Sequence, residues 1–554
     1  MIPATVKYNM HHDPWIVVKH KLHPSKLSDA EPLADFVMAQ QGIWKAPMTA
    51  PLYNAVMGIP DIRKFKSMEN YPFPSPPHIK PRHNQPITAQ FLVSHIRCWC
   101  LNGMRSGKTL SVCWAIDFLI RVGVIKRVLI MAPLTIVHDV WEPALYSVAP
   151  HRRVFVASGS VDELITVCND RRIDIIVVNH DKIKFANTAI DLAFDPDLIV
   201  TDETGDFRDP SSSRSEALFN LLGMPGITKE PRKTRRRFWP LTASPNPQKP
   251  TDVWPVARSV SPDKVSATPK EFKESVMYQP VMGHWEKRKG WKKIVQAALQ
   301  PSICWATEDC IDLPPQDYVK RNVPFTPKQT KMMNELMNDG VAFLRRVDTG
   351  VVDHTVAAAN AAVRLVKILQ IAGGVVKDTE GKPVFIGADK RIKELVNLTN
   401  EAMVHDYSKV VVMCVYRAMQ PYIQKQLLKK GYDSLIMNGS SSGIQRKAIL
   451  DEWRTDNNKK VLIAHPGVTK VGLDLTESNH MIWYLPTYKA EEFIQGNARC
   501  QGEKTNDKRK TTVVMLHGSK QELYIYNRLV NQDLDQSDTV SVFRGIIDSH
   551  VKTF

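Results

Sequence analysis

The sequence predicts an α/β protein with two parallel-sheet domains separated by a helical stretch. Short β-branched runs alternate with helical patterns over residues 81–258, the chain turns helical and basic over 259–395, and the alternation returns over 396–540. Such alternation implies parallel strands covered by helices, because a parallel crossover needs a helix-length connection.

In chain order, residues 1–80 form a small N-terminal accessory region rich in Pro, His and Met. It ends in Tyr71-Pro72-Phe73-Pro74-Ser75-Pro76-Pro77, which reads as a stiff linker. In the first α/β segment, 127–131, 173–178 and 198–200 read as strands, and 110–120 and 214–222 as helices. The helical connector carries helix patterns at 327–344 and 356–371. In the second α/β segment, 409–415, 460–464 and 480–484 read as strands and 420–431 as a helix, and 541–554 is a tail. A chain of 554 residues has the length for about three or four domains with full cores.

Between the apolar run 96–101 and the helical pattern 110–120 lies Gly103-Met104-Arg105-Ser106-Gly107-Lys108-Thr109. A strand, a loop of small residues and a helix start are what a phosphate cradle requires. Backbone N–H groups around Gly103, Ser106 and Gly107 wrap the phosphates, Lys108 reaches the β/γ oxygens, and the Thr109 hydroxyl serves Mg²⁺. The pattern predicts ATP as cofactor. The spacing departs from the strict loop: the first glycine falls four residues before Gly107 rather than five, and Asn102 stands in the expected place. Downstream, the apolar run 198–200 ends in Thr201-Asp202-Glu203. Adjacent carboxylates at a strand end suit phosphoryl transfer: Asp202 holds Mg²⁺ through a water, and Glu203 orients or deprotonates the attacking water.

Lys and Arg number 74 against 57 Asp and Glu, a net charge of +17, which favours a polyanionic partner and nucleic acid first. The eight cysteines are scattered, several in apolar segments, a pattern of reduced thiols. Cys98 and Cys100 have no second pair at zinc-ligand spacing. No signal-peptide pattern opens the chain and no apolar run reaches membrane-span length, so a soluble, cytoplasmic protein is expected, in a host cytoplasm if the protein is viral.

With these motifs in order, the chain resembles the superfamily 2 helicases, most closely the Swi/Snf-type DNA-dependent ATPases and their compact relatives in bacteriophages. The resemblance covers 81–540. It implies two RecA-like lobes with an ATP cleft between them. Pro81-Arg82-His83-Asn84-Gln85 is similar to the family's glutamine motif, which implies that Gln85 reads the adenine edge. Met131-Ala132-Pro133-Leu134, with Trp141, resembles motif Ia, implying a backbone contact near Pro133. The most specific match is Leu241-Thr242-Ala243-Ser244-Pro245 followed by Trp254, where the family reads Leu-Thr-Gly-Thr-Pro and a Trp. Thr242 and Ser244 would couple hydrolysis to lobe movement along the nucleic acid. Phe325-Thr326-Pro327-Lys328-Gln329 and Leu369-Gln370-Ile371-Ala372-Gly373-Gly374 resemble the passage into the second lobe. His465-Pro466-Gly467 and Gly472-Leu473-Asp474-Leu475 resemble motif V, which puts Gly472 and Asp474 at the nucleotide. Gln495-Gly496-Asn497-Ala498-Arg499 resembles motif VI, implying that Arg499 reaches the γ-phosphate.

Two departures matter. The family's acidic motif usually ends Ala-His, and this chain has Thr204-Gly205, without the histidine that links motif II to motif III. Motif VI usually carries a second arginine three residues after the first, and that position is Gly502. Such an arginine finger is worth about 10³ to 10⁵ in rate in related systems. Arg499 alone, a base such as Lys504, or slow hydrolysis are the three alternatives.

Two mixtures of basic and aromatic residues are candidate nucleic-acid surfaces. Arg235, Arg236 and Arg237 precede Phe238 and Trp239, where a solvated loop reads equally well; Trp285 and Trp291 enclose a second basic cluster, Lys287-Arg288-Lys289 with Lys292 and Lys293. Together these readings predict an ATP-dependent DNA translocase or helicase, with duplex DNA the expected track and a monomer the favoured state. The alternatives are an ATP-regulated nucleic-acid clamp with weak turnover, or an RNA helicase.

Overall fold

The computed structural model describes residues 4–8, 14–19, 37–40, 43–47, 68, 71–75, 80–224, 236–243, 249–281, 284–311, 313, 315–348, 354–377, 380–404, 409–469, 473–501, 510–531, 542–543 and 546–547. Ser244, Arg235, Gly472, Gly502 and Lys504 lie outside the described residues. The chain divides into two compact units: Met1–Tyr278 with Glu286–Cys310, and Gln279–Trp285 with Ile311–Phe554. The stretch read as a connector, 259–395, is therefore shared between them.

The first unit opens with an antiparallel sheet of β1 (Ala4–Tyr8), β2 (Pro14–Lys19), β3 (Val37–Gln40) and β4 (Ile43–Pro47), in the order β1-β2-β4-β3. Its main sheet holds β6 (Val128–Ala132), β7 (Val154–Ala157), β8 (Ile175–Asn179), β9 (Leu198–Thr201) and β10 (Arg237–Pro240), in the order β10-β9-β6-β8-β7. All of its pairings are parallel. Every residue of β6 and β9 is buried, as expected of central parallel strands covered on both faces. The short strand β5 (Trp99–Cys100) extends this sheet through parallel bridges Arg97↔Phe238 and Cys100↔Leu241.

Of the segment read as a linker, the described residues 71–75 are packed instead. The Tyr71 hydroxyl donates to Asp117 Oδ2 at 2.9 Å, and Trp114 Nε1 donates to the Pro74 carbonyl at 2.7 Å. Phe73 meets Tyr71 and Trp114 edge-on at 5.3 and 5.2 Å. Asp117 also accepts from Arg152 Nε at 2.9 Å. The proline-rich strap is thereby fixed to the helix Lys108–Arg121 that follows the phosphate loop.

Between the main strands of the two units come a ribbon of β11 (Met277–Val281) and β12 (His284–Lys287), and β13 (Ser302–Ile303), which pairs in parallel with β5. The second unit carries β14 (Gln316–Asn322) and a small ribbon of β15 (Val375–Lys377) and β16 (Pro383–Phe385). Its sheet continues with β17 (Val410–Met413), β18 (Asp433–Met437), β19 (Lys459–Ala464), β20 (His480–Trp483) and β21 (Thr511–His517). The order is β14-β21-β20-β17-β19-β18, again parallel throughout. Alternate strand residues feed two cores: Val411, Met413, Met481, Trp483, Val513 and Met515 on one face, Val410, Val412, Ile482, Tyr484, Val514 and Leu516 on the other. Helices cover both faces, which is why these strands read as continuous apolar runs. Beneath them Arg391 and Glu522, 4% and 0% exposed, form a two-pronged pair at 2.9 Å, and Arg391 Nη1 also donates to the Tyr484 carbonyl.

Candidate nucleotide site and nucleic-acid surfaces

The carboxyl ends of parallel strands collect loops, and in the first unit those loops hold the predicted residues. Thr242 N donates to the Cys100 carbonyl at 3.1 Å, Leu241 N to Thr201 at 2.8 Å, and Asp202 N to Met131 at 2.8 Å. The ends of β5, β10, β9 and β6 are therefore laced side by side, so the phosphate loop, Thr242, Asp202 and Pro133 follow neighbouring strands.

The loop is shaped by its small residues. Gly107 is left-handed (φ 77°), and a Cβ there would lie 2.0 Å from Gln85 Nε2; at Gly103 it would lie 2.5 Å from Thr307 Oγ1. Outside groups hold the loop from two sides. Asn84 Nδ2 donates to the Ser106 carbonyl at 2.9 Å and Arg82 Nη1 to Arg105 at 2.7 Å. From the far side, Gly103 N donates to the Trp305 carbonyl at 2.8 Å, and Thr307 Oγ1 donates to Met104 at 3.0 Å. Lys108 Nζ donates to the Asn102 and Gly103 carbonyls at 2.7 and 3.0 Å. The lysine thus closes on its own loop, and Thr109 is partly exposed beside it. Gln85 is buried: its Oε1 accepts from Arg82 N at 2.8 Å, and its Nε2 donates to Gly107 O at 3.3 Å. It braces the loop whatever else it contacts.

Asp202, 8% exposed, is held by Trp141 Nε1 at 3.0 Å on Oδ2 and by the Glu203 amide at 3.0 Å on Oδ1. Glu203 has φ 50°, a left-handed backbone that turns the chain sharply after β9. Thr204 donates to the Leu241 carbonyl through its amide at 3.1 Å and its hydroxyl at 2.8 Å, so the acidic motif is joined directly to the strand carrying Thr242.

The residues fit ATP and Mg²⁺. Ser106 Oγ is buried with no hydrogen-bond partner, an orphan polar atom inside the phosphate loop. Thr109 and Asp202 offer the hard oxygen donors that suit Mg²⁺, which takes one or two protein oxygens beside substrate phosphates.

In the second unit, Arg499 caps the helix Ala490–Ala498 and is half-buried. Its carbonyl accepts from Leu475 N at 3.2 Å, tying motif VI to motif V. Asp474 Oδ1 accepts from Thr476 N and Oγ1 at 3.1 and 2.7 Å, so that carboxylate caps a local turn.

Two expected nucleic-acid residues are structural instead. Arg237 is 5% exposed, and its Nη1 donates to the Val93 and His95 carbonyls at 3.2 and 3.0 Å. Burial pulls its pKa down to about 10. Arg236 pairs with Asp191 at 2.5 Å and Asp195 at 2.7 Å. Both guanidiniums are spent inside the unit, so neither serves as a phosphate contact. Thr242, 4% exposed between β5 and β9, is a linking residue rather than a DNA contact. Trp254 is buried and donates to the Ser266 carbonyl at 2.8 Å. Pro133 is partly exposed just beyond β6. In the second basic cluster Trp285 and Trp291 are partly exposed, Lys287 Nζ lies 5.4 Å from the Trp291 ring centre, and Lys289, Lys292 and Lys293 are exposed.

Sequence reasoning missed the bracing roles of Asn84, Arg82, Trp305 and Thr307. Trp141, which the resemblance places with the nucleic-acid motif, holds the Asp202 carboxylate. Only the proximity of Asn84 to Gln85 offered a signal; the Thr307 bond spans 203 residues.

Residues 390–501 match the family described as Helicase conserved C-terminal domain. No curated protein matches the sequence. Among solved structures, the chain is similar to a Sulfolobus solfataricus SWI2/SNF2 ATPase core in complex with dsDNA, at 16% identity and a TM-score of 0.39, covering 88% of this chain and 98% of that one. It is also similar to the Sulfolobus solfataricus SWI2/SNF2 ATPase core domain, at 17% identity and a TM-score of 0.35, covering 86% and 95%. Within the second unit, the stretch 390–501 is thus the part of the chain that matches a helicase conserved C-terminal domain.

Proposed function

We propose that the chain is a DNA-dependent ATPase that converts ATP hydrolysis into movement along duplex DNA. The observation that carries this reading is the side-by-side ending of β5, β10 and β9, which brings Lys108, Thr242 and Asp202 to one edge of one sheet. Lys108 exchanges its two loop carbonyls for phosphate oxygens, and Ser106 and the loop amides complete the cradle. Thr109 and Asp202 hold Mg²⁺, which neutralises charge on the phosphates when bound. Trp141 keeps the Asp202 carboxylate oriented, and Glu203 aligns the water. Arg499, Asp474 and Gly472 are assigned to the nucleotide from the second unit's motifs. The Thr204–Leu241 link carries a change at the acidic motif to Thr242. Pro133, Trp285 and Trp291 with their neighbouring lysines are the assigned DNA contacts.

Steady-state ATPase activity of the wild type and Lys108→Ala, titrated with duplex DNA, single-stranded DNA and RNA at fixed salt, tests this. Stimulation by duplex DNA that vanishes in Lys108→Ala is expected. Nucleotide binding without turnover on any polymer would favour a clamp, a reading that Gly502 in place of the second arginine supports; stimulation by RNA alone would make the track RNA.

A further inference from the structure

His180 stands immediately after β8, and no step of the proposed hydrolysis uses it. Its amide donates to the Ala132 carbonyl at 3.3 Å, and the amide of Asp202 donates to Met131, the preceding residue of β6, at 2.8 Å. The histidine and the acidic motif are thus anchored on either side of one strand end. The imidazole then reaches the segment that follows the acids. His180 Nδ1 lies 2.9 Å from Asp206 Oδ2, and the ring meets Phe207 edge-on at 5.0 Å. A carboxylate only accepts, so Nδ1 carries the proton and donates. Asp206 belongs to the 3₁₀ turn Thr204–Phe207, and its amide donates to the Glu203 carbonyl at 3.1 Å. One turn therefore connects the histidine's partner to Glu203.

Packing alone does not account for a histidine here. The residue is 2% exposed, and its Nε2 has no hydrogen-bond partner among the described residues, so an apolar ring of similar size would fill the space at lower cost. Glu203, at φ 50°, has a backbone disfavoured for a residue with a β-carbon, and such a conformation persists where its surroundings hold it. Thr204 holds one flank of the turn through Leu241, and His180 holds the other through Asp206. Arg214 supports that second flank: its Nη2 donates to Asp181 Oδ1 at 2.6 Å, and its Nη1 lies 3.5 Å from Asp206 Oδ2. We propose, on the ATPase reading above, that His180 is a positioning residue for hydrolysis, which through Asp206 fixes the turn that aims Glu203 at the attacking water.

Steady-state ATPase activity at saturating duplex DNA, with ATP affinity measured by titration, is compared among the wild type, His180→Phe, Asp206→Ala, the double variant and His180→Asn. Phenylalanine keeps a ring against Phe207 and loses the donor, whereas asparagine loses the ring and keeps an N–H donor near the place of Nδ1. His180→Phe and Asp206→Ala should each lower kcat about tenfold and leave KM and the ATP dissociation constant unchanged. The double variant should be no slower than the slower single one, because both remove the same bond. His180→Asn should recover most of the loss. In single-turnover hydrolysis, adding His180→Phe to Glu203→Gln should slow the reaction no further. A loss confined to KM, losses that multiply in the double variant, an asparagine variant as slow as the phenylalanine one, or further slowing in Glu203→Gln would each overturn the role. A wild type that binds ATP and hydrolyses none on any polymer would sink the ATPase reading itself, and the role of His180 with it.

Discussion

Two basic residues of the first unit, Lys108 and Arg237, are held in opposite ways. Lys108 sits in a loop of small residues and bonds only carbonyls five and six residues away. Arg237 sits beside two aromatics and bonds carbonyls 142 and 144 residues away. The lysine's partners are replaceable by a ligand, because the loop that supplies them is braced independently by Asn84, Arg82 and Thr307. The arginine's partners, the Val93 and His95 carbonyls, lie at the C-terminal end of the helix Asn84–Ser94, and the buried guanidinium is itself what satisfies that helix end. What separates a binding cation from a structural one is whether its partners are held by something else.

The comparison breaks if the two residues fail in the same way. Lys108→Ala should lower ATP turnover by at least about 10²-fold and leave the thermal midpoint almost unmoved, whereas Arg237→Ala should cost about 3 kcal/mol of stability, because it takes the guanidinium donor from the Val93 carbonyl, leaves the His95 carbonyl with Trp239 Nε1 alone, and empties a buried side-chain site. Calorimetry and ATPase assays on both variants separate the two effects. The second unit supplies a sharper structural case. Arg391→Ala strands Glu522 at 0% exposure and should cost about 3–5 kcal/mol, read as a lowered denaturation midpoint.

His95 extends the argument to pH. Its carbonyl accepts from Arg237 Nη1 at 3.0 Å and Trp239 Nε1 at 3.2 Å, its Nδ1 bonds the Phe91 carbonyl at 2.7 Å, and burial lowers its pKa to about 4. The unfolded chain takes up this proton near pH 6.5 and the folded chain only near 4. Its contribution leaves stability at full value above about pH 6.5 and removes up to about 3 kcal/mol as pH falls to about 4. Urea titrations of the wild type and His95→Gln across this window measure it, and a slope shared by both would assign the effect elsewhere. The smallest effect is expected of Thr204→Val, which keeps the amide bond to Leu241 and loses the hydroxyl bond, at about 1 kcal/mol.

The central strands were legible because burial on both faces writes itself as runs such as Leu198-Ile199-Val200 and Val410-Val411-Val412. β14 was not: Gln316–Asn322 is a mostly exposed edge strand of polar residues, with no apolar run to mark it. β13 is two residues long and exists through its pairing with β5. The strap at Tyr71–Pro74 carried a linker's composition and gained its place from Trp114 and Asp117. At the candidate site, the glycines, Lys108 and the paired acids stand out in the sequence as a motif, and the structure sets them at neighbouring strand ends. The bracing of the loop and the fate of Arg236 and Arg237 depend on partners 15 to 203 residues away, which local sequence does not encode.

Displacement of a third strand from a triplex on duplex DNA, with wild type and Glu203→Gln in the presence of ATP, tests the central claim most directly. ATP-dependent displacement by the wild type, lost in Glu203→Gln while nucleotide binding persists, is the expected result. ATP turnover that leaves the triplex intact in the wild type would contradict movement along duplex DNA.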